Sequence, residues 1–339
     1  MTKTGFLSLI AVSVVMASCG RMHNLKEVKL NGMAQGTYYA ITYYDEEGRN
    51  FQPAIDSFFR AFDMSASVYL KESVISRFNN NDSTAVADDA FTYVFKKAQE
   101  VSEMTDGAFD ITTMPLTNAW GFGFTDAMKL TQEQVDSILP LVNYRNISLE
   151  NGRLIKADPA IMIDYNAIAQ GYSADLIGKM LETEGIKNYL IDVGGEVLAR
   201  GAKPGGKLWR VGIEKPAGEG DETRTVDVVV KLKDKALASS GNYRRYFVKD
   251  GVKYSHTIDP KTGYPVTHSL LSVSVLADDC ISADAFATAF MVMGVEKSRD
   301  FLSKHPGLEA HFIFSDAQGT NQHWTSPGLE KLFEDNNAE

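Results

Sequence analysis

Leu271-Ser-Val-Ser-Val-Leu-Ala277 runs almost directly into Asp279-Cys-Ile-Ser-Ala-Asp-Ala-Phe-Ala-Thr-Ala-Phe-Met-Val-Met-Gly294. The first stretch reads as a strand and the second as an apolar helix of small residues. Asp284 and Thr288 stand four apart in that helix, on one face and about 5–6 Å apart at Cβ. A carboxylate and a hydroxyl so placed can share a hard cation such as Mg²⁺, which takes oxygen ligands and keeps positions open for phosphate. A charge in apolar surroundings is costly unless paired or metal-bound. The same two residues also read as a capping carboxylate at a helix start and a packing threonine. Spacing alone leaves both readings open.

Working outward, the remaining elements mix helix and strand. Thr37–Tyr44 alternates like a strand, whereas residues 51–63 and 88–105 carry helical apolar spacing. Residues 167–184 read as another helix, followed by a short buried strand at Asn188–Val193 that ends on Gly194-Gly195. Val248–Tyr254 is a hairpin with Asp250-Gly251 at its turn. Residues 309–315 and 323–325 form a closing hairpin around Gly319. Residues 201–220, rich in Gly, Pro and Lys, read as surface interrupted by a short strand at 208–213. Strands often follow one another directly. The expected class is therefore α+β, with mixed, largely antiparallel sheets and packed helices, and no linker divides the chain into independent domains.

Net charge is −10, which speaks against nucleic acid as a main partner, because binding it leaves a basic footprint. An acidic chain that holds a diphosphate needs a metal or well-aimed backbone N–H groups. No apolar run after the N-terminus is long enough to span a bilayer. The N-terminus itself reads as a targeting segment. Lys3 gives a positive n-region, Phe6 to Met16 an apolar h-region, and Ala17-Ser18 precede Cys19. This resembles a bacterial lipobox: a signal peptide at 1–18, a lipid on the Cys19 thiol, and a tether over 19–31. Cys280, the other of the two cysteines, reads as a small buried hydrophobe.

Common signatures are absent: no G-x-G-x-x-G, no Walker A loop, no C-x-x-C, no H-E-x-x-H and no G-x-S-x-G. A nucleotide would have to sit in a less familiar cradle of glycine- or hydroxyl-rich turns. Candidates are Gly107-Ala-Phe-Asp-Ile-Thr112, Trp120-Gly-Phe-Gly-Phe124, Val193-Gly-Gly-Glu196 and Ala238-Ser-Ser-Gly-Asn-Tyr243. Each alone could be mere punctuation, since glycine permits positive φ anywhere.

Seven ordered blocks resemble the FAD:protein FMN transferase family, the ApbE-like flavin transferases. They are Gly36-Thr37; the run from Tyr69 to Asn79; Gly107 to Leu116 with Trp120-Gly-Phe-Gly123; Asp164-Tyr-Asn-Ala-Ile-Ala-Gln-Gly-Tyr-Ser-Ala-Asp175; Ile191-Asp-Val-Gly-Gly195; His256-Thr-Ile-Asp-Pro-Lys-Thr-Gly263; and Ala283-Asp-Ala-Phe-Ala-Thr288. The resemblance covers about Gly32 to Thr325 and implies a T-fold-related architecture with one catalytic domain over 32–335.

It also implies Mg²⁺-dependent transfer of the FMN half of FAD to a Thr or Ser of an acceptor protein, releasing AMP. Implied metal ligands are the Asp284 and Thr288 side chains and the Ala167 carbonyl. The implied flavin and diphosphate site comprises Gln35, Tyr69, Ala108, Phe109, Asp110, Asp164 and Gln170. Gln35 and Gln170 depart from the family's usual Met and charged residue. His256 is the implied acid/base. Expected acceptors are envelope subunits of Na⁺-pumping NADH:quinone oxidoreductase or Rnf-type complexes. The expected location is the periplasmic face of the inner membrane, through lipidated Cys19.

On the residues alone, several of these positions keep a second reading. His256 is either a base for an incoming hydroxyl, an imidazole titrating near about 6.5 when unperturbed, or a side chain packed beside the Asp259-Pro260 turn. Asp110 either accepts from a flavin or adenine N–H or caps the turn at Thr112. Asp164 either orients the flavin or pairs with a nearby backbone N–H. Tyr69 and Phe109 either stack on rings or fill core. Hydrolysis of FAD to FMN and AMP, and flavin binding without turnover, are the competing functions.

Overall fold

Leu270–Ala277 lies inside an eight-stranded sheet in which every neighbouring pair is antiparallel. The chain is described here from a computed structural model over residues 25–125, 130–216, 225–242, 246–249 and 252–334, with only the backbone at 246–249 and 252–253. In chain order the strands begin with β1 (Lys26–Ala34), β2 (Thr37–Asp45), β3 (Ile147–Glu150), β4 (Arg153–Lys156) and β5 (Tyr189–Val193). Next come β6 (Glu196–Arg200), β7 (Trp209–Glu214), β8 (Val226–Leu232), β9 (Lys235–Gly241) and β10 (Tyr246–Lys249). The last are β11 (Val252–Ser255), β12 (Leu270–Ala277), β13 (Glu309–Ser315) and β14 (Asn321–Thr325). The sheet order is β1-β2-β5-β6-β9-β12-β13-β14, and β3–β4, β7–β8 and β10–β11 form separate two-stranded ribbons.

The helices are α1 (Gln52–Ala66), α2 (Val74–Asn79), α3 (Asp89–Met104), α4 (Met114–Ala119), α5 (Gln132–Ile138), α6 (Ala169–Thr183), α7 (Cys280–Lys304) and α8 (Pro327–Glu330). Strand alternation distributes the sheet's side chains between two cores. On one face Leu198, Ala236, Ala238, Val273 and Val275 meet helices α1, α3, α6 and α7. On the other, Val197, Ala199, Leu237 and Leu276 meet Trp209, Ile213, Val230 and Leu232 of the β7–β8 ribbon. Burial on both faces explains why the central strands are apolar nearly throughout.

The expected α+β class, the strands at 37–44, 188–193, 271–277 and 309–315, and the long helices are all present. Two boundaries differ. β1 starts at Lys26 and pairs residue for residue with β2, so residues 26–31, read as tether, belong to the sheet. α7 continues past Gly294, which breaks the helix at φ 75° and then lets it resume to Lys304. A Cβ at Gly294 would lie 3.2 Å from the His268 ring. β10 and β11 pair as the expected hairpin, but Asp250-Gly251 lie outside the described residues, as do 1–24 with Cys19, Tyr243 and residue 335. Among the described residues no helix is long and apolar enough to cross a membrane.

A satellite core of Leu116, Trp120, Leu130, Val135, Val142 and Ile258 carries the 256–263 loop. Trp120 Nε1 donates to the Gly263 carbonyl at 2.8 Å, and its ring stacks on Tyr254 at 5.7 Å. These contacts fix His256 to the α4 end of the molecule.

Candidate active site

The site grows from the junction of α6 and α7. Asp279 caps α7, its Oδ1 accepting from the Ser282 N–H at 2.9 Å. Asp175 of α6 caps the same end, accepting from the N–H groups of Cys280 and Ile281 at 2.8 and 2.9 Å. The helix start is thus satisfied twice without Asp284, which removes the capping reading of that residue. Asp284 lies a turn further in and is 6% exposed. Its Oδ2 accepts from the Gly171 N–H at 3.0 Å. Gly171 permits this closeness: a Cβ there would sit 2.4 Å from the Cys280 carbonyl oxygen and 2.9 Å from Asp284 Cβ.

Three oxygen-bearing groups near this junction line the same cavity. Because the Gly171 N–H turns to Asp284, the Ala167 carbonyl, four residues back, receives no backbone N–H among the described residues. Thr288 is half-buried, its Oγ1 3.3 Å from Ser240 Oγ. A buried carboxylate, a hydroxyl and an undonated carbonyl form a hard-oxygen set that suits Mg²⁺. Cys280 is buried, and burial holds its thiol well above the ordinary range, as befits packing.

Asp284, Thr288 and Ala167 line a cavity of about 330 Å³ together with Tyr69, Ala108, Phe109, Asp110, Asp164, Gln170 and His256. That volume falls in the roughly 300–1,000 Å³ range of small-molecule sites. Every sequence-predicted site residue among the described residues, except Gln35, therefore meets at one place. Gln35 does not line the cavity. It sits in the β1–β2 turn at φ 52°, its Oε1 accepting from Ser173 Oγ at 3.1 Å, so it braces α6.

The structure also gives the residues with open readings their surroundings. Asp110 is buried and bonded: Oδ1 accepts from the Thr112 N–H and Oγ1 at 2.8 and 2.6 Å, and Oδ2 from the Tyr144 N–H at 2.8 Å. It holds the 107–113 turn in shape. Phe109 is 2% exposed and belongs chiefly to the core. Tyr69 is 64% exposed and meets Phe124 edge-on at 5.4 Å, which places an aromatic pair at the cavity mouth. His256 faces the cavity with Phe122 edge-on at 6.4 Å. The lining also includes Thr117, Asn118, Met291 and Val292, which carried no sequence signal, and Ser239, Ser240 and Glu196 from two of the suspected turns.

Burial dominates the electrostatics. It pushes Asp164 up to about 6, Asp175 up to about 7, and Asp284 up to about 7, where the Asp175 charge adds to the effect. Asp164 keeps part of its surface open to the cavity, and its Oδ1 accepts from the Asn166 N–H at 3.1 Å. Each group holds its proton in the folded chain at pH values where the unfolded chain, with a carboxyl at 3.8, has lost it. Without divalent cations their contribution to stability is full below about pH 4 and lost as pH rises toward 7. Asp284→Asn removes one of the three. In chelator, its urea midpoint should therefore fall less than the parent's between about pH 5.5 and about pH 7.5. An equal or larger fall in the variant contradicts the buried, proton-holding carboxyl.

The sequence model of the ApbE family matches residues 35–312. The chain belongs to the ApbE family. Among similar proteins is the FAD:protein FMN transferase of Vibrio cholerae serotype O1, 36% identical over 298 residues, covering 85% of this chain and 88% of that one. The Escherichia coli K12 protein of the same name is 31% identical over 343 residues, with 96% of both chains covered. Among ApbE structures, the flavin transferase of Vibrio cholerae superposes with a TM-score of 0.80 at 31% identity, covering 91% of this chain and 99% of its own. The apo flavinyl transferase of Pseudomonas stutzeri gives 0.81 at 31% identity, covering 91% and 97%.

Proposed function

We propose that this ApbE-family chain transfers the FMN moiety of FAD to a Thr or Ser hydroxyl of an acceptor protein and releases AMP. The observation that carries this reading is the meeting of the Asp284, Thr288 and Ala167 oxygens with Asp164, Gln170, Tyr69 and His256 on one cavity. Its relatives of matching length bear the name FAD:protein FMN transferase. Asp284, Thr288 and the Ala167 carbonyl would hold Mg²⁺, which when bound supplies positive charge against a diphosphate.

The remaining work falls to the chain's own groups. Tyr69 and Phe124 offer exposed ring faces for the isoalloxazine. Gln170 and Asn166, in the first turn of α6 and just before it, add amide side chains to the cavity lining. His256 accepts the proton of the incoming hydroxyl as its oxygen bonds to the FMN phosphorus. The bond from that phosphorus to the bridging oxygen breaks, and the oxygen leaves with AMP. Such transfer depends on positioning and charge neutralisation more than on covalent help from the enzyme.

Incubation with FAD and Mg²⁺, with and without an acceptor, tests the reading. Flavin fluorescence on the acceptor in a denaturing gel is expected. Free FMN alone would mean hydrolysis, and unchanged FAD would mean binding without turnover. Acceptors of the kind proposed are envelope subunits of Na⁺-pumping NADH:quinone oxidoreductase or Rnf-type complexes. Anchoring through lipidated Cys19 to the periplasmic face of the inner membrane rests on the Lys3, Phe6–Met16 and Ala17-Ser18 pattern. Cys19→Ser should release the chain to the soluble envelope fraction or leave its signal uncleaved, with unchanged catalysis. Wild-type protein found soluble and cleaved away from Cys19 would overturn the anchor.

A further inference from the structure

We propose that Asp227, His311 and His323 form a second metal site, suited to Zn²⁺, on the sheet face that α7 does not cover. In β13, Ala310 and Phe312 point into the helical core, so His311 between them points to the opposite face. His323 of β14 pairs with Ile313, two residues on and on the same face as His311. Asp227 comes from β8, in the ribbon that packs on this face.

Asp227 Oδ2 lies 3.2 Å from His323 Nδ1 and 3.4 Å from His311 Nε2, and all three ligand atoms fall within 4.8 Å of one another. Zn–N and Zn–O bonds of roughly 2.0–2.1 Å in a tetrahedron set ligand atoms about 3.3 Å apart, so the two shorter edges already match. The His311 and Asp227 side chains are 2% and 8% exposed. Apart from these facing contacts of 3.2 and 3.4 Å, neither His311 Nε2 nor Asp227 Oδ2 has a hydrogen-bond partner among the described residues. Buried polar atoms left this way are costly, and a shared cation would satisfy both. His311 Nδ1 is 2.8 Å from Thr325 Oγ1; with the proton on Nδ1 donated to that hydroxyl, this is the outer hydrogen bond that orients a ligating imidazole and leaves Nε2 for the metal.

Two imidazoles and a carboxylate suit Zn²⁺ better than Mg²⁺, which prefers all-oxygen surroundings. A redox iron site with the same donors needs open positions on a substrate cavity. None of the three cavities described is lined by these residues. The role assigned is structural, because the ligands come from both β8 and the β13–β14 edge. A cation here, with water on the exposed His323 side, would clamp β8 to the β13–β14 edge. The final residues already hold β8 there through Lys231 N–H to Leu332 O at 2.7 Å and Glu334 N–H to Val229 O at 2.8 Å.

The test uses the full chain without a histidine tag, equilibrated with Zn²⁺ in excess Mg²⁺, and reads bound zinc and melting temperature. One Zn²⁺ per chain is expected in wild type and in Asp284→Ala, with a higher melting temperature than in chelator. His323→Ala and Asp227→Asn should each weaken zinc binding at least about tenfold and lose that thermal gain. FMN transfer by His323→Ala should match wild type. His323 is half-exposed, so its variant decides the matter even where Asp227→Asn fails to fold. Zinc that survives His323→Ala, or that disappears in Asp284→Ala, overturns the site.

Discussion

Asp284→Ala is expected to abolish FMN transfer and FAD cleavage while the chain stays folded. Of the three groups proposed to hold Mg²⁺, Asp284 alone brings a carboxylate, so its removal would deprive the cation of its strongest anchor. The stability cost should be small because two effects oppose each other. The Gly171 N–H loses its acceptor, a penalty of about 1–3 kcal/mol for a buried donor. Against that, a carboxyl that burial pushes up to about 7 no longer has to be housed. Turnover in Mg²⁺ and melting temperature, measured on the same preparation, check both halves. Near-full turnover would remove Asp284 from the chemistry. Thr288→Val should do less harm, since a neutral ligand is lost and water can replace it.

His256→Asn should lower kcat by roughly 10²–10⁴-fold, the usual range for general acid–base catalysis. FAD binding should change little, because the imidazole acts on the acceptor hydroxyl and leaves the ground-state flavin alone. The variant should also lose an inflection that the wild-type rate shows as the imidazole titrates. A packing role gives a different pattern: lower thermal stability and weaker FAD binding, with turnover per folded molecule preserved. The stacked Trp120–Tyr254 pair supports the loop without His256, so the fold should tolerate the change. Retention of both kcat and its pH profile would end the catalytic assignment.

What the sequence made legible follows physical signals of different strength. Asp284 and Thr288 were readable because helical geometry fixes what i and i+4 can share. That Asp284 is not the helix cap was not readable, since this turned on Asp279 and Asp175, the latter about a hundred residues away, satisfying the helix start. Phe109 and Tyr69 look alike in sequence, yet one is core and the other stands at the cavity mouth. Only tertiary packing separates them. The bond from Ser173 to Gln35 was not legible, because a turn glutamine carries no local signature of bracing. β1 was missed because its alternation is diluted by charged and polar residues, and its pairing with β2 supplies what the pattern lacks. Met291 and Val292 enter the cavity only because α7 passes beneath it.

The most direct measurement is the stoichiometry of products when the purified full chain meets FAD, Mg²⁺ and an acceptor protein. AMP in solution and FMN covalently attached to the acceptor are quantified by chromatography and by mass spectrometry of acceptor peptides. The expected result is one AMP per FMN attached, the FMN linked through phosphate to a Thr or Ser, with both products absent for Asp284→Ala. AMP accompanied only by free FMN, whatever acceptor is supplied, or attachment that proceeds undiminished without Asp284, would contradict a flavin transferase built on this cavity.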